Sequence, residues 1–190
     1  MQRTLALLGM MTLLAACGGS GSTSTTAKCT QQFWNKVFAA CLPDGWKVLS
    51  EDTLRTLGVP EETMTAFQAT EPHAGQLDTV TVTTEPLSTD LGTTEYSQAN
   101  ILAVSSLPEY QLIDKETVFI DGDESSIHVF SARPTPGQPI RRYYQLSASK
   151  EKTGYSFTGS FPLSIEEDEA KAVALILKSV SFNDPAAAKE

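Results

Sequence analysis

The sequence predicts a mixed α/β domain, an antiparallel sheet punctuated by helices after its second strand, in its middle and at its end. Three observations predict it. Short segments of alternating apolar and polar residues, such as 79–84, are separated by turns carrying Pro, Gly or Asp. Helical spacing of apolar residues interrupts them at 50–57, 94–106 and 164–180. Strands such as the one holding Val118, Phe119 and Ile120 are apolar on both faces, which places helices on both sides of the sheet.

The elements follow in order. Residues 37–42 read as a strand that runs into the turn Pro43-Asp44-Gly45, and 46–49 continue beyond it. Ser50 caps a short helix whose apolar positions are Leu54 and Leu57, and Gly58 stops it. Residues 64–70 and 79–84 are strands around a polar turn with Pro72 and Gly75. In the second of them Val80 and Val82 share one face. The helix at 94–106 presents Tyr96, Ala99, Ala103 and Leu107, and Pro108 ends it. Strands at 111–120 and 125–132 flank Asp121-Gly122, a two-residue hairpin signal. Strands at 140–149 and 155–161 form a second hairpin around residues 150–154. Ser164 and Glu167 read as the capping box of the last helix, with Ile165, Ala172, Val173, Ile176 and Val180 as its buried stripe. The sequence shows no internal repeat and no second domain.

The chain has 190 residues, 41% of them hydrophobic and 19% charged, an ordinary globular balance. Its formal net charge of −9 excludes a nucleic-acid binder that relies on clustered Lys and Arg. There is no polybasic patch for anionic lipid.

Residues 1–16 carry one basic residue, Arg3, followed by an apolar run rich in Leu and Met. The run is too short for a spanning helix, which needs roughly 20 residues. It fits the hydrophobic segment of a signal peptide. Leu14-Ala15-Ala16-Cys17 then resembles the lipobox of bacterial lipoproteins. In that family the cysteine thiol is acylated and the leader removed, and two or more acyl chains hold a protein stably at a bilayer. After Cys17 the tract GGSGSTSTT has nothing to pack and reads as a flexible tether. Residues 17–28 are therefore the lipidated cysteine and tether, 29–183 a single domain and 184–190 a frayed tail. The expected location is exported, anchored to the outer face of a plasma membrane or to the outer membrane, with the domain in the periplasm or cell exterior.

The chain holds three cysteines, Cys17, Cys29 and Cys41. With Cys17 lipidated, Cys29 and Cys41 remain as a pair in an oxidising compartment. A disulfide between them, or two reduced buried thiols, are the alternatives. No C-x-x-C is present, and neither histidine has ligand-like spacing to either cysteine, so no metal site is expected.

The segment 38–46, FAACLPDGW, is similar to the opening of PsbP/Mog1/DcrB-like domains, in which a strand runs into Pro-x-Gly-Trp. IDGDESSIHVFS, GQPIRRYYQLSAS, GYSFTGSFP and ILKSVSF follow in the matching order, so the resemblance spans roughly residues 33–182. It implies a three-layer α/β/α sandwich with a mainly antiparallel sheet. The superfamily includes extrinsic photosystem II subunits, a nuclear-transport cofactor and bacterial envelope proteins, so the resemblance implies a non-catalytic binding or assembly duty and no cofactor. Fold alone does not fix function.

No nucleophile elbow, phosphate loop, metalloprotease helix motif or dinucleotide fingerprint occurs. Of the two histidines, His73 sits in a turn and reads as solvent-exposed; His128 reads as a packed strand residue. Asp121, Asp123 and Glu124 read as a polar hairpin tip rather than a calcium site, and Glu166 to Glu169 as helix-capping acids rather than a weak cation site. Arg141, Arg142 and Tyr143 are the candidate ligand or partner contacts. Arg142 is expected to pair with an acid at the rim of the core, with an anionic ligand as the alternative. Membrane lipid, through acylated Cys17, and an envelope protein are the expected partners. A small-ligand or metal-binding lipoprotein and an envelope hydrolase are the competing readings.

Overall fold

The computed structural model describes residues 27–73 and 75–187. Cys17 and the leader lie outside them. The described residues form nine strands interrupted by three helices. They are β1 (Cys29–Trp34), β2 (Ala39–Pro43), β3 (Trp46–Val48), α1 (Glu51–Leu57), β4 (Thr63–Ala69), β5 (Thr79–Pro86), α2 (Thr93–Val104), β6 (Gln111–Ile120), β7 (Asp123–Ala132), β8 (Arg141–Lys150), β9 (Thr153–Phe161) and α3 (Glu167–Lys178). Seven strands form one antiparallel sheet in the order β3-β4-β5-β9-β8-β7-β6, and β1 pairs only with β2.

Two glycines on the central strand show how the layers are arranged. Gly154 and Gly159 are five residues apart on β9, so they face opposite sides of the sheet. The Tyr96 ring of α2 lies directly over Gly154, while Phe161 and Val173 of α3 close over Gly159. Thus α2 covers one face, and α3 with the β1–β2 hairpin covers the other. The main core lies on the α3 side. There Phe38 and Leu42 of β2 meet Phe67, Val80, Val82, Leu146 and Phe157 of the sheet and Val173, Ile176 and Leu177 of α3. The Phe38 and Phe157 rings meet edge-on with centroids 5.0 Å apart.

Local chemistry explains most element ends. Ser50 Oγ accepts from Thr53 N at 3.2 Å, and Gly58 closes α1 through backbone bonds to Leu54 and Arg55. The capping box of α3 falls two residues later than expected. Glu166 is its N-cap, and its N–H donates to Glu169 Oε2 at 3.1 Å.

Three sequence expectations need correction. The strand β1 was not anticipated, because its polar, exposed CTQQ shows no alternation. The buried positions of α2 are Thr93, Tyr96 and Ser97 rather than an apolar stripe. The helix sits on a polar strip of the sheet, where Ser125 Oγ donates to Ser97 Oγ at 3.3 Å and Thr93 Oγ1 to Ser149 O at 3.2 Å. Phe119 is 66% exposed, because β6 is a sheet edge and α2 packs on β7 and β8.

Candidate functional site

Cys29 and Cys41 are joined in a disulfide, with Cα atoms 5.4 Å apart. It ties the entry of β1 to the fully buried β2. Arg141, Arg142 and Tyr143 do not converge. Arg141 Nε donates to Ser160 Oγ at 2.7 Å and Nη1 to Gln76 Oε1 at 2.9 Å. Arg142 projects from the opposite face, and its Nε is buried without a hydrogen-bond partner. Among the described residues no carboxylate pairs with it, so the expected rim ion pair is not formed. Tyr143 stacks on Phe130 at 5.1 Å, and burial raises its hydroxyl pKa.

His128 is 1% exposed on β7. Its Nε2 shares a hydrogen bond of 2.8 Å with Tyr110 Oη, its Nδ1 is buried and unpartnered, and its ring stacks on Phe130. Burial, and then the charge of Lys115, lowers its pKa. The unfolded chain takes up this proton near pH 6.5 and the folded chain only at lower pH. Stability is therefore full above that pH and falls as the pH drops through 6.5 toward the folded value, by at most about 1.4 kcal/mol per pH unit. His128→Phe should flatten the urea midpoint between about pH 7 and 5. An unchanged slope would assign the pH dependence to other groups.

The residues that do converge come from one hairpin turn and one helix start. The turn between β4 and β5 closes on a two-way backbone bridge, His73 N to Gln76 O at 2.7 Å and Gln76 N to His73 O at 2.8 Å. Gly75, with φ 78°, supplies the left-handed residue it needs. Ala69 N donates to Asp78 O at 2.9 Å, which fixes the start of β5. The first turn of α3 contributes Glu169. His73, Asp78 and Glu169 thereby bring their donor atoms within 4.8 Å of one another. His73 Nδ1 is 2.9 Å from Glu169 Oε2, and Glu166 Oε1 lies 3.7 Å from Nε2. His73 is therefore packed against α3, not free in solvent as its turn position suggested. Asp78 is 3% exposed. Burial, and then the charge of Glu169, pushes its pKa up to about 6, against the opposing charges of His73 and Arg141.

Sequence reasoning missed Asp78, and it read Glu169 as a helix-capping acid, which it is, without linking it to His73. The hairpin signal around Gly75 was available, but nothing local links that turn to α3 across more than ninety residues. Among the described residues, no serine or cysteine side chain is bonded to either histidine.

No family model matches the sequence, and no curated protein matches it. Solved structures do match the fold. LpqN, described as involved in cell envelope biogenesis of Mycobacterium tuberculosis, aligns with a TM-score of 0.55 at 14% identity over 85% of this chain and 88% of LpqN. The cyanobacterial PsbP of Synechocystis, CyanoP, aligns with a TM-score of 0.52 at 15% identity over 90% of this chain and 99% of CyanoP. A point mutant of the protein Mog1 gives 0.52 at 10% identity over 86% of this chain and 99% of Mog1. At such identities the likeness concerns the path of the chain alone. The antiparallel sheet with its three helices is a PsbP/Mog1-like fold.

Proposed function

We propose that this is a bacterial envelope lipoprotein, held by an acylated Cys17, whose PsbP/Mog1-like domain serves as a non-catalytic binding or assembly module. The observation that carries the reading is the run from Leu14 to Cys17 behind a short apolar leader, followed directly by a Gly/Ser/Thr tether. Residues 18–28 would reach roughly 18 Å in root-mean-square extension. Two features support the reading. The disulfide suits an oxidising compartment. No helix of the described residues is long and apolar enough to cross a membrane. Ala27 and Lys28, just before β1, line one pocket with Pro43, Asp44, Asp168 and Ala172, beside the first half of α3.

Metabolic labelling with a fatty-acid analogue tests the anchor. The chain should take up label, and Cys17→Ser should lose it and move from the membrane to the soluble fraction. Continued labelling of that variant would exclude the anchor. Crosslinking in intact cells tests the module. A defined protein neighbour that disappears with Cys17→Ser is expected, and recovery of lipid alone would overturn this part of the reading.

A further inference from the structure

We propose that His73, Asp78 and Glu169 form a binding site for a divalent cation of the zinc class. The site does not depend on the lipid anchor and goes beyond the binding-module reading.

The argument starts with Asp78. The residue is 3% exposed, and acidic residues so buried normally have partners. Among the described residues no hydrogen bond and no ion pair reaches it. The nearby guanidinium of Arg141 is already taken by Ser160 and Gln76. A buried carboxylate held this way is costly unless a proton or a cation compensates it.

The two neighbours point the same way. His73 Nδ1 is buried, and although Glu169 Oε2 is 2.9 Å away, the approach does not form a hydrogen bond. Nδ1 is therefore a buried ring nitrogen with no hydrogen-bond partner, and in its deprotonated form it would offer a lone pair to an ion. Glu169 brings a second carboxylate, which also holds the amide of Glu166. Two carboxylates and an imidazole thus face one small volume, with a net negative charge when the imidazole is neutral.

The donor set decides the kind of ion. One imidazole nitrogen and two carboxylates are ligand types that zinc takes, and three of them leave a fourth position for water or another ligand. Calcium prefers six to eight oxygen ligands, and magnesium a near-octahedral oxygen shell, which three residues including a histidine do not supply. Glu166 Oε1, 3.7 Å from Nε2, would need only a small approach to accept a hydrogen bond from Nε2–H once Nδ1 binds metal, the arrangement that orients metal-bound histidines. The competing account is a shared proton. In that case the cluster is satisfied by protonated Asp78, and Glu169 serves only the start of α3.

The test uses the full chain, purified in detergent without a histidine tag and stripped with chelator. Only two histidines are present, and His128 is buried with Nε2 engaged by Tyr110, so the assignment is clean. Titration with Zn²⁺ should show one saturable site with micromolar affinity and a rise in melting temperature. His73→Gln and Asp78→Asn should each weaken it by at least about tenfold. Ca²⁺ and Mg²⁺ should not compete. Co²⁺ should give visible absorption bands of low-coordinate cobalt that His73→Gln abolishes. If Asp78→Asn does not fold, His73→Gln reads the site alone, because its side chain lies on a surface turn. No saturable binding below millimolar Zn²⁺, or binding unchanged by these substitutions, would overturn the site and leave the shared proton as its explanation.

Discussion

Gly154→Ala should destabilise the domain by about 3 kcal/mol and loosen α2 from the sheet. A methyl group on residue 154 would stand 2.3 Å from Tyr96 Cζ, well inside van der Waals contact. The ring cannot simply swing aside. Tyr96 is 3% exposed, and its hydroxyl donates to Glu85 Oε1 at 2.8 Å across the neighbouring strand. It is also one of the few buried anchors of α2. Relieving the clash therefore means lifting the helix or breaking the Tyr96–Glu85 bond. Urea denaturation measures the loss, and a double-mutant cycle tests its cause. In a Tyr96→Ala background, Gly154→Ala should lose most of its effect, a coupling of about 2 kcal/mol or more. Additive effects would mean that backbone preference at residue 154, not the ring, sets the penalty.

Removing the disulfide, as Cys29→Ser with Cys41→Ala, should lower stability by about 3 kcal/mol. The bridge spans a sequence separation of 12 residues, and closing a loop of that size restricts the unfolded chain by about that amount. The native side of the balance also matters. β1 pairs only with β2, and a two-stranded ribbon is marginal by itself. Apart from the bridge, its main tie to the core is Phe33, whose ring meets Phe38 at 5.4 Å and Phe67 at 5.1 Å. Hydrogen exchange should therefore accelerate first at the amides of residues 30–33, before the central sheet opens. An unchanged urea midpoint after reduction would show that the ribbon holds without its staple.

Most of the fold was legible because its signals are local. The Asp121-Gly122 hairpin, the Ser50 cap and the alternation of Val80 and Val82 each act within a few residues, and each element formed. For Cys29 and Cys41 the sequence left two alternatives, a disulfide or reduced thiols, and the structure has the disulfide. What local pattern could not show depends on which strands lie at the edge and which polar groups meet. Phe119 looked buried because its neighbours Val118 and Ile120 are, yet nothing covers its side of β6. The expected stripe of Tyr96, Ala99, Ala103 and Leu107 left out Ser97, yet Ser97 is buried and meets Ser125 of β7. The start of α3 was misplaced by two residues, because Ser164–Glu167 and Glu166–Glu169 offer the same spacing and only tertiary context chooses between them. The cluster of His73, Asp78 and Glu169 was illegible for the strongest form of that reason. It is made by folding and by no motif.

The sheet ends on β6, ten residues long and, among the described residues, without a partner on its outer side. An open edge of that length is a template on which another chain can add a strand. Apolar Leu112, Ile113 and Phe119 lie exposed along it, which would reward such growth. The same strand also carries its own guards. Its register shifts between Leu112 and Asp114, breaking the regular ladder, and Asp114, Lys115 and Glu116 place charge in its middle. Copies crowded onto one surface meet at far higher effective concentration than copies free in solution. If the domain is tethered as proposed, this interrupted and charged border would work against neighbouring domains fusing their sheets into a fibre.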